Sequence, residues 1–169
     1  ANNSGKTSAM DALAKFFANR SFVFNDITIS RRIDINRIGS KWAASDCQQP
    51  NDLLEWDPIV PKMDIWLDVG PDEMHYVTSI IPTLKWRGGK LGVRLALFPK
   101  DVSKLFDEYR EAYFSARTTE NARTDKKCSF SLFPKDLCEF LDRNLTTYFS
   151  IKAFILDPVH FGDSSVQPT

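Results

Sequence analysis

Apolar side chains return at helical spacing near the start of the chain: Ala9, Met10, Ala12, Leu13, Phe16 and Phe17, with Asp11 and Lys15 between them. This spacing predicts an amphipathic helix that closes at Asn19 and Arg20. Phe22-Val23-Phe24 and Ile27-Thr28-Ile29 bracket Asn25-Asp26, which predicts a short strand pair or an extended stretch. Residues 36–62 hold Gly39, Pro50, Pro58 and Pro61 among many polar residues. They read as a long loop with one helical turn around residues 53–56. A loop of that length is usually functional or part of an insertion.

A period of two takes over at Met63. Met63, Ile65, Leu67 and Val69 alternate with Asp64, Trp66 and Asp68, the pattern of a half-buried strand. Gly70-Pro71-Asp72 is a turn, and residues 75–81 are apolar without a decisive period. Residues 83–86, then Arg87-Gly88-Gly89-Lys90, then residues 91–98 predict a hairpin about a Gly-Gly turn. Its second arm keeps Leu91, Val93, Leu95 and Leu97 on one face.

Pro99-Lys100-Asp101 opens a helix over residues 102–117, with an inner stripe of Val102, Leu105, Phe106, Tyr109, Ala112 and Tyr113. Residues 118–128 are polar and charged and predict an exposed linker. Leu132-Phe133-Pro134-Lys135-Asp136 opens a further helix to about residue 148, with Leu137, Phe140, Leu141 and Leu145 inside. Residues 151–156 read as a strand ending at Asp157-Pro158, and the last eleven residues as turn-like and frayed. Phe-Pro-Lys-Asp occurs at 98–101 and again at 133–136. Each copy sets Pro and an acid at a helix start, so these are two similar helix starts rather than a structural repeat. The class is α/β, with a mainly antiparallel sheet, a hairpin and two helices beyond the first.

Composition narrows the classes without naming one. With 169 residues the chain can bury a proper core, and 43% apolar and 26% charged residues are ordinary for a globular domain. Lys plus Arg equals Asp plus Glu at 22 each, so no global field draws the chain to nucleic acid or membrane. Cys47, Cys128 and Cys138 are odd in number and widely spaced, which fits reduced thiols in a cytoplasmic protein better than a disulfide framework or a metal knuckle. His75 and His160 are the two histidines, little material for a histidine metal site or a Ser-His-Asp triad. No stretch reaches the roughly 18 apolar residues of a membrane span, and no signal peptide opens the chain.

The strongest chemistry stands ahead of the first helix. Ala1-Asn2-Asn3-Ser4-Gly5-Lys6-Thr7-Ser8 matches the phosphate-binding loop G-x-x-x-x-G-K-[ST] at its last three fixed places. The leading Gly would fall one residue before Ala1, so the chain reads as starting inside the loop. Gly5 gives the backbone freedom that a nest of N–H donors requires. Lys6 is the expected catalytic cation at the β- and γ-phosphates of ATP, and the Thr7 hydroxyl the expected Mg²⁺ ligand. Asn2, Asn3, Ser4, Gly5, Lys6, Thr7 and Ser8 make up the candidate nucleotide site.

Asn2-Asn3-Ser4-Gly5-Lys6-Thr7-Ser8 followed by Met10-Asp11-Ala12-Leu13 resembles the phosphate loop of ABC-type ATPases of the chromosome-maintenance and recombination group. It is most similar to the branch of OLD (overcoming-lysogenization-defect) ATPases found in DNA repair and phage defence. The fixed residues cover about a dozen positions; over residues 1–157 the likeness is one of element pattern. The resemblance implies the N-terminal part of one P-loop ATPase domain, whose first strand and C-terminal half lie outside residues 1–169. It implies ATP hydrolysis with Mg²⁺, a homodimer joined through ATP, and DNA as a target of the full-length protein. Any nuclease module would lie outside this segment, and the segment by itself is expected to be inactive.

Hydrolysis also needs a Mg²⁺ carboxylate at the end of an apolar strand. Residues 153–157 and 65–68 imitate one, ending at Asp157 and Asp68. Pro158 stands where a catalytic Glu would follow Asp157, and the neighbours of Asp68 alternate like an antiparallel strand. Both read better as surface or strand-end acids, and the resemblance puts the true carboxylate beyond Thr169. The clusters Arg31, Arg32, Arg37 and Lys85, Arg87, Lys90, Arg94 read as phosphate contacts or, with the balanced charge, as solvated faces. Trp86 reads as a base-stacking platform or as packing. A P-loop kinase is the alternative enzyme, with Asp157 or Asp68 on the metal and Arg117, Arg123, Lys126 and Lys127 as a lid. A nucleotide-binding or interaction module without turnover is the third reading.

Overall fold

The computed structural model describes residues 4–17, 21–44, 53–81, 83–122 and 132–156. It is a mixed α/β structure with a three-stranded antiparallel sheet in the order β1-β2-β3. The strands are β1 (Lys62–Val69), β2 (Gly89–Pro99) and β3 (Phe149–Leu156). The helices are α1 (Ser4–Phe17), α2 (Ile29–Trp42), α3 (Val102–Asn121) and α4 (Leu137–Tyr148). Two compact units divide the chain: Ala1–Val60 with Phe98–Ser150, and Pro61–Leu97 with Ile151–Thr169.

In the first unit, α1 forms where its periodicity predicts a helix, with the close at Asn19 and Arg20 outside the described residues, but its apolar stripe is not an inner one. Met10, Leu13 and Phe17 are 67%, 41% and 59% exposed. Phe16 is half-buried against the Phe22 ring, edge to face at 5.0 Å. Lys15 is held by Asp26 and, at 3.4 Å, by Asp11.

The largest correction is α2. Residues 22–29 are not a strand pair, and residues 36–42 are not loop. Phe24–Asp26 is a single 3₁₀ turn, and α2 follows at once. Ile35, Ile38, Gly39 and Trp42 are buried at helical spacing, and Arg31 and Arg37 both pair with Asp34 three residues away. Burial of that face outweighs the β-preference of Ile27-Thr28-Ile29, of which Ile29 alone lies inside the helix. The foreseen turn around residues 53–56 is present, with Trp56 N–H donating to Leu53 C=O.

The core of this unit is aromatic. The Trp42 ring meets those of Trp56, Phe106 and Tyr109 at 6.1, 5.6 and 6.2 Å, and Trp56 meets Phe149 at 5.3 Å. The predicted stripes of α3 and α4 are buried at Val102, Leu105, Phe106, Tyr109, Leu137, Phe140, Leu141 and Leu145. Gly39 lets α2 approach α4, since a Cβ there would lie 2.6 Å from Leu137 Cβ and 3.2 Å from the Tyr109 hydroxyl. Alanine gains up to about 1 kcal/mol of helix propensity over glycine, while overpacking a core costs about 1–3 kcal/mol. Gly39→Ala is therefore expected to lower the urea midpoint, although most exposed Gly→Ala changes in helices raise it.

The segment predicted as a linker begins inside α3, which continues to Asn121. Thr118 and Thr119 hydroxyls donate to carbonyls four residues back, and Arg117 pairs with Glu120 at 3.2 Å. These contacts carry the helix past its last apolar position. Residues 123–128 lie outside the described residues.

Both Phe-Pro-Lys-Asp copies start helices, with the acid at the N-cap rather than in the first turn. Asp101 accepts from Lys104 N–H at 3.0 Å, and Asp136 from Glu139 N–H at 2.8 Å. Asp136 also accepts from the Asn36 amide at 3.1 Å, and Asn36 accepts in turn from Cys138 N–H. Losing a cap costs about 1 kcal/mol, and the tie to α2 adds a second hydrogen bond of similar worth. Asp136→Ala should therefore cost roughly twice as much as Asp101→Ala, read as the difference in unfolding free energy from denaturant titrations.

In the second unit, β1 pairs antiparallel with β2 from Lys62↔Ala96 to Val69↔Gly89. The strand predicted at residues 63–69 forms, but its burial does not alternate: Leu67 is exposed, and Val69 is the buried residue. The hairpin does not form: β2 has β1 as its partner, and residues 84–85 are a turn. Residues 71–76 and 78–80 form 3₁₀ turns between the two strands. Val69, Val77 and Leu91 make a small core there, with Ile80, Ile81 and Trp86 packed on it. The Gly-Gly pair still performs a turn, at φ +106° and +105°. A Cβ on Gly88 would also meet the Val69 carbonyl oxygen at 2.9 Å.

Candidate functional site

The first turn of α1 carries the candidate phosphate site. The helix begins at Ser4, so the backbone of Ser4, Gly5, Lys6 and Thr7 is its opening turn. The N–H groups of a first turn have no intrahelical acceptor, and the helix dipole adds partial positive charge there. No acidic residue occupies that turn, so no built-in carboxylate competes with an incoming anion. Thr7 and Ser8 are exposed on the helix. Asn2 and Asn3 lie outside the described residues.

Lys15 and Asp26 fix the other end of α1. Hydrogen bonding to Asp26 raises the Lys15 pKa above its ordinary value, against an opposing effect of burial. A raised lysine pKa means that the pair's contribution to stability is present at neutral pH and is lost only as pH climbs through that raised value.

The two candidate metal carboxylates fare differently. Asp68 is exposed on β1, in the second unit, and is bound to Lys90 at 2.9 Å. Its strand is antiparallel, unlike the parallel strand that carries a Mg²⁺ acid in P-loop folds. Asp157 lies outside the described residues. Among the described residues no group of three or more His, Cys, Asp or Glu side chains forms a metal nest. A Mg²⁺ ion held by phosphate oxygens, water, one hydroxyl and a single carboxylate requires no such group.

The basic clusters are largely absorbed by local partners. Arg31 and Arg37 share Asp34. Arg32 donates to Asn25 and stacks over Phe24 at 5.0 Å. Arg87 donates to the Leu84 and Trp86 carbonyls. Arg94 is buried and gripped by Asp64 through two hydrogen bonds of 2.6 and 2.7 Å. Trp86 packs on the small core of the second unit. These are the contacts of folded faces and a core rather than of a phosphate-binding stripe.

Cys138 is half-buried, with its thiol donating to the Arg32 carbonyl at 3.3 Å. Burial pushes its pKa up to about 12, so it is a poor nucleophile at neutral pH.

The sequence reading missed a cavity of about 540 Å³ between α3 and α4. Glu108, Glu111 and Ser115 recur at helical spacing on α3, as do Phe140, Asn144 and Tyr148 on α4. That spacing was visible, but which faces of the two helices meet was not.

No helix among the described residues is long and apolar enough to cross a membrane. Comparison with protein-family models, with curated proteins and with solved structures finds no match to this chain.

Proposed function

We propose that the first turn of α1 closes a phosphate-binding loop and that the chain binds ATP with Mg²⁺ as part of an OLD-like ATPase acting on DNA. The observation that carries this reading is the start of α1 at Ser4, which sets Gly5-Lys6-Thr7 at a helix N-terminus. Phosphate binding by this motif requires its Gly-Lys-Thr at a helix N-terminus. In this reading backbone N–H groups of Ser4 to Thr7 receive the phosphate oxygens. Lys6 neutralises charge that develops between the β- and γ-phosphates, and the Thr7 hydroxyl supplies one oxygen to Mg²⁺. ATP would join two such domains as a homodimer, and DNA contact would fall to other parts of the full-length protein.

The kinase alternative is less well supported, because it calls for strands alternating with helices in a parallel sheet. The sheet here is antiparallel, and Asp68 already has a cation. That same pairing favours, as the second reading, a module that binds nucleotide without turning it over.

The test is equilibrium binding of ATP to the full-length protein with and without Mg²⁺, for the native sequence and for Lys6→Ala. Binding that needs Mg²⁺ and Lys6 supports the proposal. Binding indifferent to Lys6 removes it.

A further inference from the structure

From the cavity between α3 and α4 we infer a binding site for a small organic cation, a ligand bearing an ammonium or guanidinium group. The trough holds about 540 Å³, ample for a chain of several carbon atoms ending in a charged group. Its lining includes two carboxylates, Glu108 and Glu111, and no lysine or arginine. Phe140 and Tyr148, both buried, contribute aromatic rings 5.4 Å apart. Ser115 and Asn144 complete its polar edge. Carboxylates beside aromatic rings are the chemistry that recognises organic cations: charge-assisted hydrogen bonds to the N–H groups, and ring contact for the carbon stem and the cation's face.

The two glutamates have different roles. Glu108 accepts a hydrogen bond from the Tyr148 hydroxyl and is approached by Lys104 at 3.7 Å, so its carboxylate is held in place. Burial and the hydrogen bond to Glu108 raise the Tyr148 pKa, which keeps that phenol a neutral donor at physiological pH. Glu111, one turn along α3, has no hydrogen-bond or ion-pair partner among the described residues. It is the group available to take the charge of an incoming ligand, with Glu108 as a fixed second acceptor.

The probe is agmatine, which carries a guanidinium at one end and an ammonium at the other, titrated calorimetrically into the full chain in ~100 mM sodium chloride, where the Debye length is about 10 Å. Saturable one-to-one binding is expected, weakened about tenfold or more by Glu111→Gln, since a hydrogen bond to a charged group is lost. Glu111 is exposed, so this substitution leaves the fold intact. N-acetyl-arginine amide separates the two sources of such a cation. Equal affinity for it assigns the site to an arginine side chain of a partner protein, and weaker affinity assigns it to a free amine or guanidine. No saturable binding of either probe, or binding that Glu111→Gln leaves unchanged, overturns the inference.

Discussion

On the reading proposed above, ATP turnover by the full-length protein is expected to fall about a hundredfold or more when Lys6 is replaced by alanine. In phosphoryl transfer the protein acts almost wholly through positioning and electrostatic stabilisation. Removing one donor aimed at developing charge costs about 10²–10³ in rate. The backbone of Lys6 lies in the first turn of α1, and a helix N-terminus carries partial positive charge. The loss should appear in both KM and kcat, because a cation at the β- and γ-phosphates holds the bound nucleotide and is worth more still when charge shifts between them. Steady-state phosphate release at saturating ATP and Mg²⁺ is the measurement. Turnover that survives in Lys6→Ala would mean that the opening residues are a chance match.

The second large effect is on stability. Arg94 is 1% exposed on β2, and its guanidinium is held by two hydrogen bonds to Asp64, the residue facing it on β1. Asp64→Ala leaves that cation buried without its carboxylate. Breaking one side of a buried pair costs about 3–5 kcal/mol, and the partial exposure of Asp64 places the expectation near the lower bound. The double change Arg94→Met with Asp64→Leu removes both charges and should recover most of the loss, because well-packed apolar residues often equal a buried ion pair. Denaturant unfolding of the two variants checks both statements. An Asp64→Ala protein as stable as the native chain would mean that water or another partner serves Arg94.

The periodic elements were legible in the sequence wherever the period and the packed face agree. The stripes of α3 and α4 formed where helical spacing placed them, because burial is what selects that pattern; the strand at residues 63–69 formed too, though its burial does not alternate. The missing helix α2 shows the opposite case. Its buried positions Ile35, Ile38 and Trp42 have helical spacing, but the β-branched entry and Gly39 masked it. Gly39 breaks helices in isolation, and here it is required by the approach to Leu137. That reason lies in residue 137 and is invisible from residue 39. The hairpin failed for a related reason. Gly88 and Gly89 do turn the chain, but strand pairing is decided by which apolar face completes a core, and Leu91 found Val69 and Val77. At the candidate nucleotide site the residue types and the helix behind them were legible, while the cavity of α3 and α4 depended on a helix pairing that no local pattern encodes.

The bond between Asn36 and Asp136 spans 100 residues of chain, and that distance has a consequence during synthesis. Ile35, Ile38 and Trp42 leave the ribosome well before Leu137 and Leu141 exist to cover their neighbourhood. At about 5–20 residues per second, the apolar side of α2 waits on the order of 5–20 s for its partner helix. Throughout that interval the nascent chain displays a tryptophan and two isoleucines that the finished protein hides. The first unit is thus a late-closing structure, and its yield in a cell depends on whatever shields a hydrophobic helix while the other half is still being made.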